Sequence, residues 1–522
     1  MNDTETRYMD PEDWKEVKVL RIPHLNHLCV PIGYNRKDGV GGNTLLPACI
    51  FEDTLEEVFK RVRKQFSEIE LSRFHVKMPY WNHEYNILPN LYSFIPRASY
   101  LSSTAITVIM IANANKKPEN MPTLEYGYRG HELLSLRDRL SNDDSKFEGI
   151  IGNLGYYMTE NLVAGILDWT HNKRYAAEYH LQTTKSYLGF YMRRDNKTGD
   201  VFSSFSGAHP AGVAVKQNGD IEILPDINID KYKINILNKV FYVDCINPDT
   251  VENEKLVLFT PGIYSDEIKA NRDNWKKYAP MIPVNEDSKR VNLFITNEGN
   301  GCYPEEKVVV IWNGGAPIPA FGAVLSFDEN YFDELFNNQN LISSAVQIIP
   351  EGATDFSLYR QIFGGFVPVV IDGNHLYNVE TVEDLMHNLD EYGNALSPIA
   401  QAGRETSNFD PYIREPAGVL IQTKDKIGWV MFDGRHELSI GVSVSDVAKL
   451  VKRLQNENIF KGKILNAVFI DGGSAMKAYA IKNLGDKLAF ELLNRAAAGA
   501  RNGPGSDPDG LNLYSLLKLP LS

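Results

Sequence analysis

The chain has 522 residues, 43% hydrophobic and 11% aromatic, with 54 Lys and Arg against 67 Asp and Glu for a formal net charge of −13. This composition excludes a disordered chain and, at this length, predicts two or three globular domains. The acidic balance speaks against a nucleic-acid partner, whose phosphates require a basic face, and the widely spaced Cys29, Cys49, Cys245 and Cys302 form neither a CxxC zinc pair nor a disulfide framework.

The first residues, MNDTETRYMDPEDW, are polar and acidic and lack the basic start and apolar core of a secretory signal. The longest strongly apolar stretch, 105–112, falls short of the about 20 residues that cross a bilayer. The expectation is a cytoplasmic protein with no membrane partner, or a component of a virion or other particle. The segment FEDTLEEVFKRVRKQF (51–66) places Leu55, Val58, Phe59, Val62 and Phe66 at helical spacing, with Asp53 or Thr54 as N-cap. TAITVIMIANA (104–114) reads as a buried strand, and LEYGYRGHELLSLRDRL (124–140) as a turn leading into a helix.

From about residue 200 short apolar strands alternate with Gly, Pro and Asn turns: GVAVKQNGDIEIL (212–224), KLVLFTPG (255–262), KVVVIWNGG (307–315), GAVLSF (322–327) and FVPVVIDGN (366–374). QNGD between two alternating runs marks a hairpin. SVSDVAKLVKRLQNEN (443–458) is a helix capped by Ser443, with Val447, Leu450, Val451 and Leu454 on one face, and it leads into the strand NAVFI. The texture change divides the chain into residues 1–195 and 196–522. The predicted class is α+β: a mixed, β-sheet-rich C-terminal domain with packed helices, preceded by a separate α/β-type N-terminal region.

The chemistry concentrates where strands end. In FIDGGSAM (469–476) an apolar run stops at Asp471, and two glycines and a serine follow, on backbone able to approach a ligand closely. REPAGVL (414–420) and FDGRH (432–436) precede it. Taken alone, Asp471 is compatible with a plain strand-end turn and Asp433-Gly434-Arg435 with a plain hairpin turn. The ordered set is similar to the phosphodiester glycosidase family, whose members read Arg-x-Pro-Arg-Thr-Ala-x-Gly, then Asp-Gly-Arg, then Leu-Asp-Gly-Gly-Gly-Ser. Weaker echoes lie upstream in the same order, in PAGVAVKQNGDI (210–221), INPDTVENEKLVLFTPGIY (246–264), APIPAFGAVLSF (316–327) and GGFVPVVIDGN (364–374). The resemblance covers roughly 200–520. Three departures stand at motif positions: the triple glycine is double, Pro416 runs directly into Ala417 and Gly418, and VFSSFSGAHP (201–210) lacks the family's Asn.

The resemblance implies hydrolysis of a sugar-1-phosphodiester, or a related glycosyl-phosphate, at the anomeric C1–O bond. It implies Asp471, Asp433 and Arg435 as catalytic residues. Gly472, Gly473, Ser474, Arg414, Arg495 and Arg501 would bind substrate, since guanidinium forks and backbone N–H groups suit phosphate oxygens. The substrate is then a small-molecule or glycan phosphodiester. No cofactor and no metal are expected: DNKTGD (195–200) and GSDPDG (505–510) lack a full calcium-ligand series. The alternative is a catalytically degenerate domain that serves assembly or binds sugar phosphate. Its partners would then be further copies in a homo-oligomer, or a larger assembly.

Overall fold

The computed structural model describes residues 48–77, 103–113, 121–155, 189–260, 289–297, 307–313, 322–376, 416–494 and 515–521, except 127, 130–131, 134–135, 137–139, 141–146, 206–210, 249, 338, 343, 435–438, 440, 443, 471, 473–475 and 486–487 within those spans. The first helix, α1 (Ala48–Gln65), buries Leu55, Val58, Phe59 and Val62, and Phe66 just beyond it is buried too, as their spacing requires. It starts at Ala48, so Asp53 and Thr54 lie inside it and are not its cap. Nothing in Ala48-Cys49-Ile50 opposes a helix, and a favourable capping residue does not by itself fix where one begins.

Two sheets carry the site. Their strands in chain order are β1 (Ile69–Lys77), β2 (Ser103–Ala112), β3 (Thr123–Tyr126), β4 (Gly149–Asn153), β5 (Pro368–Ile371), β6 (Asn374–His375), β7 (Ala417–Thr423), β8 (Lys426–Phe432), β9 (Ile464–Ile470), β10 (Ala478–Asn483), β11 (Leu488–Leu492) and β12 (Ser515–Pro520). The seven-stranded sheet runs β1-β2-β8-β7-β9-β5-β6, and the five-stranded sheet runs β11-β10-β4-β12-β3. Every neighbouring pair in both is antiparallel.

The strands alternate as a sheet buried on both faces demands. Val430 and Phe432 of β8 point one way, with Phe74, Val76, Ile106, Val108 and Phe469. On that face lies the helix α2 (Val444–Asn456), through Val447, Leu450, Val451 and Leu454. Its expected cap, Ser443, is outside the described residues. Trp429 and Met431 point the other way, into a cluster with Ile150, Ala478, Ala480, Leu517 and Leu519 of the second sheet. The two sheets approach closely at Gly152, where an added Cβ would fall 2.4 Å from the Trp429 ring. The Trp429 indole donates to the Asn153 carbonyl at 3.1 Å, which satisfies its one polar atom.

The remaining strands form two further five-stranded sheets, a three-stranded sheet and a two-stranded ribbon. The predicted QNGD hairpin is present between Ala211–Lys216 and Ile221–Leu224, with Gly219 at φ +88° in its turn. Pairing is antiparallel almost throughout; the one parallel contact among the described strands joins Cys245–Ile246 to Leu256–Phe259. The expected mixed sheet is therefore an antiparallel architecture. Parallel neighbours require long crossover connections, usually helical, and the described chain mostly turns straight back.

The two sheets that carry the site draw strands from both sides of residue 195. β1 pairs with β2 and β2 with β8, and β3 and β4 pair with β12. Leu55, Val58, Phe59 and Val62 of α1, with Phe66, share one hydrophobic cluster with Leu517, Leu519 and Leu521. A change of texture along the sequence reports local element lengths. It carries no information on which distant strands supply the missing edge.

Tyr232, in the strand Lys231–Ile236, is 1% exposed, and its hydroxyl has no hydrogen-bond partner among the described residues. Burial pushes its phenol well above the ordinary range. Removing a buried, unsatisfied hydroxyl eliminates a desolvation cost without breaking a bond. Tyr232→Phe is expected to raise the urea midpoint, by about 1 kcal/mol of stability; a lower midpoint would show that the hydroxyl has a partner.

Candidate active site

Three adjacent strands of the larger sheet end together. Phe432, the last residue of β8, pairs with Ala417, and Ile470, the last residue of β9, pairs with Gly418. β7 lies between them. The chain therefore leaves β8 into Asp433 and β9 into Asp471 at one end of the sheet, on the two strands that flank the start of β7. The backbone here is crowded. A Cβ on Gly472 would stand 2.7 Å from the Pro416 carbonyl oxygen, and one on Gly418 would stand 2.4 Å from the terminal methyl of Met476. Gly472 and Met476 are thus held against residues 416–418, and Gly472 is required by contact.

Asp433 is 0% exposed. Its N–H donates to the Ala105 carbonyl at 2.9 Å, extending the β2–β8 ladder by one residue. Its carboxylate meets Arg73 of β1, Oδ2 to guanidinium 2.7 Å, with both side chains enclosed. Arg73 also donates to Thr107 Oγ1 at 2.8 Å. Arg73 and Thr107 are register partners, on the face that looks toward the second sheet. From the other side comes Asn494, just beyond β11. Its amide Nδ2 donates to Asp433 Oδ1 at 3.3 Å and to the Met476 carbonyl at 2.7 Å, and its Oδ1 accepts from the Ala478 N–H at 3.0 Å.

The chain that departs at Asp433 returns at once. The Ser439 hydroxyl donates to the Asp433 carbonyl and accepts from the Ala105 N–H at 2.9 Å. Two residues on, Thr104 donates to the Gly441 carbonyl at 2.6 Å. Asp433, Ser439 and Gly441 are all pinned to the start of β2.

Lys477 follows Met476 and is 1% exposed; its carbonyl accepts from the Asn153 N–H at 2.9 Å. Burial lowers its ammonium from the ordinary 10.5 to about 7. Arg73 and Lys477 are thus two enclosed basic side chains.

Of the residues expected from the sequence, Asp433 and Gly472 are described, the first fully buried and the second half-buried. Asp471, Arg435, Gly473, Ser474, Arg414, Arg495 and Arg501 lie outside the described residues. Sequence reading missed Arg73, Thr107, Asn494 and Lys477. A signal existed for two of them: Arg73 interrupts the alternating run IELSRFHVK, and Lys477 stands just before the apolar AYAI. A charge facing a packed layer is costly unless it has a purpose. Among the described residues no group of three or more His, Cys, Asp or Glu could hold a metal ion. No helix among them is long and apolar enough to cross a membrane.

No protein-family profile matches the sequence, and no curated protein matches it. Solved structures similar in fold include a Burkholderia pseudomallei protein described as exported, with 13% identity, a TM-score of 0.39, and coverage of 80% of this chain and 74% of that one. Another is the catalytic domain of zebrafish N-acetylglucosamine-1-phosphodiester α-N-acetylglucosaminidase, auto-inhibited by its pro-peptide. It shows 10% identity and a TM-score of 0.35, and covers 87% of this chain and 84% of that one. Scores this low assign neither fold nor activity to the present chain.

Proposed function

We propose that this protein hydrolyses a sugar-1-phosphodiester or a related glycosyl-phosphate at the anomeric carbon, with Asp471 as the carboxylate that meets the sugar. The observation that carries the reading is the common end of β7, β8 and β9. The Asp-Gly-Arg and Asp-Gly-Gly-Ser motifs, 38 residues apart in sequence, leave the sheet on the two strands beside Pro416–Gly418. A phosphate leaving group is already a weak base, so departure from C1 needs little proton donation. What helps is negative charge at the oxocarbenium-like centre and donors on the phosphate oxygens. Asp471 supplies the first. Gly472, Gly473 and Ser474, with Arg414, Arg435, Arg495 and Arg501, supply the second. Water then delivers the new oxygen to C1, and the phosphate leaves as a monoester. Asp433, enclosed and ion-paired, holds the frame and does not touch the sugar.

The test is turnover of a panel of UDP-N-acetylglucosamine and sugar-1-phosphodiesters by the wild type beside Asp471→Asn. The expected result is hydrolysis that falls about 100-fold or more in the variant, with circular dichroism unchanged. Equal rates in the two proteins would remove Asp471 from the reaction. A second reading has its own support. Because Asp433 is fully enclosed, one of the two expected carboxylates is unavailable to substrate, as in a domain that binds sugar phosphate or serves assembly without cleaving. Saturable binding of the same panel with no turnover would favour it.

A further inference from the structure

We propose that Asn494 is a positioning residue, whose amide locks the Asp-Gly-Gly-Ser segment to the buried Arg73–Asp433 pair. The inference rests on the proposed hydrolase only for its kinetic test; the structural claim stands without it. Asn494 is 0% exposed and makes three contacts on three elements. It donates to the Asp433 carboxylate at the end of β8. It donates to the Met476 carbonyl at the end of the 471–476 segment, and it accepts from Ala478 N–H at the start of β10. An amide is the side chain that offers donors and an acceptor together in one plane. A carboxylate of the same shape retains the acceptor and loses both donations.

The geometry separates a holding role from general packing. The start of 471–476 is fixed by the β9–β7 ladder and by the contact of Gly472 with Pro416. Its end is fixed by the packing of Met476 on Gly418 and by the Asn494 donation. Arg73 holds Asp433 from the first sheet, and Asn494 carries that fixed point across to the second. Gly472 and Met476 are thereby fixed, and fixed donors are what binding an oxyanion without reorganisation requires.

Asn494→Asp tests this. Hydrogen exchange read by mass spectrometry is expected to rise at least about tenfold in the peptide covering 471–478, while β7 and β8 keep their protection. With an active wild type, kcat should fall about tenfold or more with KM within about twofold, because the loss is in alignment and not in contacts to substrate. Unchanged exchange in 471–478 would overturn the proposal. So would exchange rising throughout the chain, which assigns the network to stability alone. A wild type without turnover would sink the hydrolase and leave the exchange result to decide this inference.

Discussion

Arg73→Met is expected to lower the stability of the protein by about 3–5 kcal/mol, measured by urea or guanidinium unfolding. The guanidinium lies 2.7 Å from a carboxylate with 0% exposure, and it also satisfies Thr107. Removing it leaves a negative charge in a layer walled by Trp429, Met431 and the second sheet, a far worse state than the pair or than no charge at all. The double variant Arg73→Met/Asp433→Leu is therefore expected to recover most of the loss, because an apolar pair of similar volume removes the enclosed carboxylate together with its counter-charge. Added salt should change the single variant's deficit little, since enclosed charges are screened weakly. A deficit under about 1 kcal/mol, the range of exposed pairs, would mean that the Asp433 carboxylate reaches water, and would restore it as a candidate to touch substrate.

That ion pair also shows where sequence reading stops. Periodicity located the elements well. The spacing of Leu55, Val58, Phe59 and Val62 gave α1, the apolar run 104–114 gave β2, and Val447, Leu450, Val451 and Leu454 gave α2, each with the expected face buried. These features are local, and 3.6- and 2-residue periods survive any tertiary context. The order of motifs around Asp433 and Asp471 was legible for the same reason, and the ladder brings Phe432 and Ile470, the residues before them, to one sheet end. Partnership was not legible. Arg73 and Asp433 are 360 residues apart, and no propensity links a strand near the N-terminus to one near the C-terminus. The pairing of β2 with β8 was not legible either, because β1 and β2 form an antiparallel pair of their own. Asn494 gave no signal at all. An Asn after the strand LAFEL is an ordinary turn residue by sequence, and only the fold gives it three bonds.

Lys477→Met is expected to stabilise the protein below pH 7, and the gain should shrink as pH rises toward 10.5. Burial holds the folded-state ammonium at about 7, against 10.5 for an ordinary lysine. Below pH 7 the lysine is charged in both states, and the folded protein bears the whole cost of enclosing it. Between 7 and 10.5 the folded form is neutral while the unfolded form still binds a proton, so stability rises with pH across that window. The difference between the two values, at roughly 1.4 kcal/mol per pH unit, sets an upper limit of about 5 kcal/mol on the cost at pH 6. The gain in the variant should be several kcal/mol there and near zero at pH 10.5. Methionine conserves the length of the stem and leaves no polar atom to satisfy. Unfolding curves of both proteins at pH 6, 8 and 10 decide the matter. A destabilised Lys477→Met at pH 6 would mean that the contacts of the ammonium outweigh the cost of enclosing it.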